Sequence, residues 1–122
     1  MELQHEDITR GIIGAAFEVY NVLGYGFLEK VYQLAMQVEL QSRGFKANTE
    51  SKILVRYKGF NVGLYSADLW VNDCVIVELK VAKSYMSDDE PQLLNELKAT
   101  GVKVGLLINF GRTKVEFQRM VF

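Results

Sequence analysis

The sequence holds a single cysteine, a single histidine and a single proline. One cysteine excludes an internal disulfide, and a histidine remote from it excludes a Cys/His zinc site. No apolar run approaches the ~20 residues that a membrane helix needs. The start, Met1 to Asp7, is acidic and polar rather than basic and apolar, which argues against a secretory signal. A reducing, cytoplasmic setting is therefore the expectation. Excess charge of one sign is also missing, since the formal net charge is −1. No overall basic footprint points to tight non-specific binding of nucleic acid, so any basic patch must be local. The charge is uneven, however. Residues 1–50 carry four basic and seven acidic side chains (net −3), and residues 51–122 carry ten and eight (net +2), which together give −1.

What is present is a globular pattern, with 49% hydrophobic residues in 122. That length suits one domain, read here as spanning 1–122, with a core that needs no staples. Ile8, Ile12, Ala15, Ala16, Val19 and Leu23 recur at helical spacing and predict a helix over 8–23, with Asp7 as its N-cap. Gly24-Tyr25-Gly26 breaks it. A second helix is expected over 28–43, with Val31, Leu34, Ala35, Val38 and Met36 inward and Gly44 as the stop. Strands are expected at 45–50, 52–57, 61–71 and 75–81, the middle two joined by a turn at Lys58-Gly59. A third helix opens at Ser87 or Asp88 and stops at Gly101, with anionic side chains in its first turn and Pro91 tolerated there. Strands at 102–109 and 114–121 close the chain. The helix between 75–81 and 102–109 makes those strands parallel neighbours. The expected fold is an α/β domain, a mixed β-sheet flanked by helices.

The chain is organised around residues 66–80, two strands and a tight turn in which Asp68, Glu78 and Lys80 interrupt the apolar pattern. Glu78 and Lys80 are two apart on a strand and so share a face. Burying such charges without partners costs free energy, which points to a site. A solvated ion pair on an open face fits the spacing equally well.

Asp68 followed by Glu78-x-Lys80 resembles the signature of the PD-(D/E)XK nuclease superfamily. Gly26-Phe27-Leu28-Glu29-Lys30-Val31-Tyr32 resembles the motif that names its GxxExxY branch, as do the stretches 75–80 and 97–111. The resemblance implies a restriction-endonuclease-like core, α-β-β-β-α-β, and Mg²⁺- or Mn²⁺-dependent phosphodiester hydrolysis on nucleic acid, DNA ahead of RNA. It implies that Asp68, Glu78, Glu29 and the Leu79 carbonyl ligate the metal, and that Lys80 positions the attacking water or stabilises the transition state. It places Gln92, Tyr32 and Lys98 near substrate. Related nucleases carry a tyrosine four residues after the glutamine, where this chain has Glu96, and Asp89-Glu90-Pro91 also departs from the pattern. A non-catalytic nucleic-acid- or protein-binding module on the same fold is the alternative, and a homodimer through the first two helices is a further option. Trp70 and Cys74 read as packing residues, and His5 as an untethered terminal side chain.

A shared site for Asp68 and Glu78 constrains the turn between them. A two-residue loop would put them on opposite faces, because a one-residue change of register flips every side chain. The expectation is a three-residue loop, Val71-Asn72-Asp73, as a type I turn with Asp73 left-handed and Asp68 opposite Ile76. Ala67, Leu69, Val71, Val75, Val77 and Leu79 would then form an apolar opposite face.

Overall fold

The computed structural model describes residues 4–122. Its elements are α1 (Glu6–Leu23), α2 (Glu29–Ser42), β1 (Ala47–Tyr57), β2 (Phe60–Val71), β3 (Val75–Lys80), a 3₁₀ turn (Ser87–Asp89), α3 (Glu90–Thr100), β4 (Val104–Phe110) and β5 (Val115–Val121). The strands form one sheet in the order β1-β2-β3-β4-β5. Only β3 and β4 pair in parallel, across the α3 crossover; the other pairs are antiparallel. The mixed sheet with flanking helices is the expected α/β fold. No helix of the described residues is long and apolar enough to cross a membrane.

Helices cover the sheet on both faces. On one face, Ile12, Ala16 and Val19 of α1 and Tyr32, Met36 and Leu40 of α2 pack on Val75, Val77, Leu79, Leu106 and Ile108. On the other, Leu93 and Leu97 of α3 pack on Ile76 and Leu107. Gly105 lets α3 lie close, since a Cβ there would meet Leu93 Cδ1 at 2.9 Å.

Several expectations need correction. The stretches at 45–50 and 52–57 are one strand, β1, bent at Glu50 (φ 50°). The β1–β2 ladder passes from Thr49↔Leu69 to Ser51↔Ala67 and omits Glu50 and Asp68. Both strands change face there. Ala47 lies in the α1/α2 core, yet Ile53, of the same parity, packs under α3. Ala67 likewise leaves the apolar set expected for it and joins the α3 side, while Leu69, Val71, Val75, Val77 and Leu79 stay on the α1/α2 side. α1 begins at Glu6, with His5 rather than Asp7 at its N-cap. Asp7 instead pairs with Arg10 within the first turns.

The buried stripe of α2 is Tyr32, Gln33, Met36 and Leu40. Val31, Leu34 and Val38, expected inside, are exposed. The helix is turned by about one residue from the expected orientation. Stacking of Tyr32 on Phe110, with ring centroids 4.4 Å apart, holds it there. This rotation carries Glu29 and Gln33 toward the Asp68 end of β2, where Gln33 makes a hydrogen bond.

Candidate metal centre

β3 is buried from Val75 to Leu79, and Glu78 is only 4% exposed. The β2–β3 register runs Val71↔Val75, Trp70↔Ile76 and Leu69↔Val77, so the next position sets Asp68 opposite Glu78. The loop is Asn72-Asp73-Cys74, one residue later than expected, with Asn72 (φ 50°) and Asp73 (φ 59°) both left-handed. Two successive left-handed residues exclude the expected type I turn. The loop length is odd, as the shared site required, and Asp68 faces Glu78 directly rather than diagonally.

Asp68 sits where both ladders are interrupted, and its groups find other partners. Its Oδ2 accepts a hydrogen bond from the Leu79 backbone N–H at 2.7 Å. Its carbonyl accepts one from Gln33 Nε2 at 2.9 Å. The first ties its carboxylate to β3, and the second ties its backbone to α2.

Lys80 ends β3 opposite Asn109. The Asn109 amide is 1% exposed and clamps the exit of the strand, accepting from Ala82 N at 2.8 Å and donating to Ala82 O at 3.0 Å. Lys80 Nζ lies 4.0 Å from Asp89 Oδ1, at the start of α3. About two helical turns along, Glu96 is fully buried and near Glu78, whose carboxyl it perturbs. Gln92 Nε2 donates to Glu96 Oε2 at 3.2 Å.

The electrostatics reflect this crowding. Burial, first, then the hydrogen bond with Glu96, the charges of Asp68 and Glu96 and a hydrogen bond with Asp68 push the Glu78 carboxyl up to about 11. A hydrogen bond between two carboxyls requires a proton on one of them. Glu29 is also raised, by partial burial and then by Asp68, with Lys80 opposing and Asp89 adding to the rise. Glu78 Oε1 and Glu96 Oε1 are buried with no hydrogen-bond partner. Unpaired buried carboxyl oxygens are costly, and a cation beside them would relieve that cost.

A family model described as the PD-(D/E)XK nuclease superfamily matches residues 6–120. The chain belongs to this superfamily. No curated protein matches it. A solved structure, "Crystal structure of SSO0001", is similar at 18% identity and a TM-score of 0.53, covering 97% of this chain and 59% of that one. At that identity the likeness bears on the fold alone. This chain thus spans about three-fifths of the length of that structure's chain.

PD-(D/E)XK nucleases generally use divalent metals and act on nucleic acid. The residues here fit a hard cation. Asp68 and Glu78 supply oxygen donors from facing strands, and Glu78 Oε1 lacks a partner. Among the described residues no three His, Cys, Asp or Glu side chains are grouped as ligands of one ion. Glu29, on α2, lies near enough to feel the charges of Asp68 and Lys80. Two carboxylates are enough for Mg²⁺, which keeps several waters.

The residues expected near substrate separate. Gln92 stands at the rim, on Glu96. Lys98 is exposed on α3 and lines a groove toward β1. Tyr32 is 0% exposed, and its phenol donates to the Gly24 carbonyl, so it does not present a surface to substrate. Its three-residue spacing from Glu29 suggests one face, but stacking on Phe110 takes it into the core. Tyr32→Ala is expected to cost about 3–5 kcal/mol, as for other large buried aromatics. Urea unfolding measures this; a loss under about 1 kcal/mol would contradict the packing role.

Sequence reasoning missed Gln33, Asp89, Glu96 and Asn109 as parts of the site. Glu96 stands out in the sequence only as a departure at a substrate position. Its spacing from Gln92, four residues on one helix face, was the available signal.

Proposed function

We propose that the chain is a metal-dependent nuclease of the GxxExxY branch, hydrolysing phosphodiester bonds in DNA, with Mg²⁺ or Mn²⁺ as its ion. The observation that carries this reading is Asp68 facing Glu78, with Lys80 two residues on and Glu78 Oε1 unpaired. The motif at Gly26 to Tyr32 supports the branch.

Asp68 and Glu78, with the Leu79 carbonyl, would hold the ion. When bound, a divalent ion lowers the pKa of a coordinated water and offsets charge on the phosphoryl oxygens. The chain's own groups do the rest. The Leu79 N–H fixes the Asp68 carboxylate, and Gln33 fixes the backbone beneath it. Lys80 donates toward the attacking water or the developing phosphorane charge, and Asp89 keeps its ammonium at the mouth of the site. Glu29 adds negative potential at the rim and is a positioning residue.

Incubation with single-stranded, duplex and branched DNA and RNA, in Mg²⁺, Mn²⁺ or chelator, tests the reading. Ion-dependent cleavage of at least one substrate is expected. No cleavage of any substrate, by folded protein in either ion, would remove it. One observation favours a second reading, a binding module without catalysis. Burial and the neighbouring carboxyls of Glu96 and Asp68 favour the protonated form of Glu78, and an ion would have to displace that proton. The ion-dependent melting shift argued in the Discussion separates the two, since only the nuclease needs it.

A further inference from the structure

A groove of about 480 Å³ runs between the β1–β2 hairpin and α3, lined by Leu54, Val55, Arg56, Tyr65, Asn95 and Lys98, with Ala99. Asn95 and Ala99 each lie three positions beyond a residue of the carboxylate rim, Gln92 and Glu96. The groove wall is therefore the helical strip next to the candidate metal centre. Tyr65 lies three residues before Asp68 on β2. The hairpin extends past its neighbours, because β2 pairs with β3 only from Leu69 to Val71.

The chemistry of this arm differs from that of the rest of the chain. Residues 51–67 contain Lys52, Arg56 and Lys58 and no acidic residue, a local +3 in a chain of net −1. No ion pair among the described residues uses Lys52, Arg56, Lys58 or Lys98. The tip is a two-residue turn with both residues left-handed, Lys58 (φ 49°) and Gly59 (φ 85°), which presents Tyr57 and Phe60 side by side. Those rings are 61% and 74% exposed, and Lys58 lies over Tyr57 at 5.3 Å from its centroid. The bulge at Val55/Arg56 turns the strand where Arg56 meets the groove.

We propose that this groove and hairpin tip bind a single nucleic-acid strand and deliver it to the carboxylates, with Arg56 and Lys98 on phosphates and Tyr57 and Phe60 stacking on bases. Unpaired cations beside exposed rings suit a strand whose phosphates and base faces are both accessible. A protein partner fits less well, since the cores of protein interfaces are depleted in lysine. The inference rests on the nuclease reading for cleavage of the bound strand, but binding itself is measured separately.

Fluorescence anisotropy in chelator, where an ion-dependent nuclease does not cleave, tests it with a labelled single-stranded oligonucleotide and the matching duplex. Wild type is expected to bind the single strand more tightly. Arg56→Glu with Lys98→Glu should weaken binding by at least about tenfold and lower the slope of log affinity against log salt by about 1.4, or 0.7 per lost phosphate contact. Tyr57→Ala with Phe60→Ala should weaken it by about tenfold and leave that slope unchanged. Arg56→Gln with Lys98→Gln supplies a milder pair should charge reversal disturb folding, as judged by circular dichroism. A folded charge variant with wild-type affinity and slope overturns the proposal, as does equal or tighter binding of duplex. Strand binding without cleavage in Mg²⁺ or Mn²⁺ upholds the groove and sinks the nuclease reading. Cleavage that continues while charge reversal changes nothing sinks the groove alone.

Discussion

Lys80→Ala is expected to lower the rate of nucleic-acid cleavage by roughly 10²–10³-fold, the loss typical when one preorganised charge is removed from a transition state. The side chain is about one-third exposed and its contact with Asp89, at 4.0 Å, is long, so the fold does not depend on it. Melting temperature should move little. Asp68→Ala should abolish cleavage as well, but it also strips the Leu79 N–H of its acceptor. That orphaned donor costs about 1–3 kcal/mol, so Lys80 is the cleaner probe. Lys80→Arg keeps the charge but not the compact ammonium, and partial activity is expected of it. Cleavage by purified Lys80→Ala at the wild-type rate would mean that Lys80 has no catalytic part. Activity that also survived Asp68→Ala would point to a contaminant.

The elements were legible because their signals were local. The apolar spacing of α1, the glycine stop after α3 and the unbroken apolar run of β4 each come from neighbours in sequence. The parallel β3–β4 pair was implied by the length of the crossover alone. What failed was what tertiary contacts decide. Periodicity places an apolar stripe on α2, but Val31-Leu34-Val38 and Tyr32-Met36-Leu40 fit it equally. Stacking of Tyr32 on Phe110, almost eighty residues away, selects the second. The bend at Glu50 has no local signature either. Glutamate is not a residue that favours positive φ, and the bend exists because two strands change face together.

The candidate site was legible where parity controls it. The demand that Asp68 and Glu78 share a face required an odd loop, and the loop has three residues. Its position was not legible, because Asn72, Asp73 and Cys74 all tolerate turns and only the register shows which of them are left outside the ladder. Glu96 and Asn109 escaped notice for a related reason. Both are buried polar groups whose purpose appears only when their partners, Glu78 and Ala82, are brought next to them by packing. Tyr32 shows the opposite error. It belongs to the motif at Gly26 to Tyr32, which assigns it to substrate, yet it is a core residue.

The largest effect of solution conditions is expected at Glu78. With its carboxyl pushed up to about 11, the folded metal-free chain keeps a proton there through the neutral range. The unfolded chain releases it near the ordinary glutamate value of about 4.3. Between these values the folded state binds more protons than the unfolded one, so stability must fall as pH rises, by up to about 1.4 kcal/mol per pH unit. The contribution is fully present below the unfolded value and is lost progressively as pH rises from there through the folded value. Urea unfolding in chelator should therefore show a less stable protein at about pH 8 than at about pH 5, and Glu78→Gln should flatten that slope by removing the titration. An ion binding at Asp68 and Glu78 has to displace the same proton, so its affinity should rise with pH. Mg²⁺ or Mn²⁺ should raise the melting temperature more at about pH 8 than at about pH 5, by mass action on the folded state. Glu78→Gln should remove most of that shift, because the amide is neutral and offers a single carbonyl oxygen in place of a carboxylate. An ion-induced shift of equal size at both pH values that persists in Glu78→Gln would place the ion elsewhere on the chain. Protonated Glu78 would then serve the packing of the sheet and not an ion.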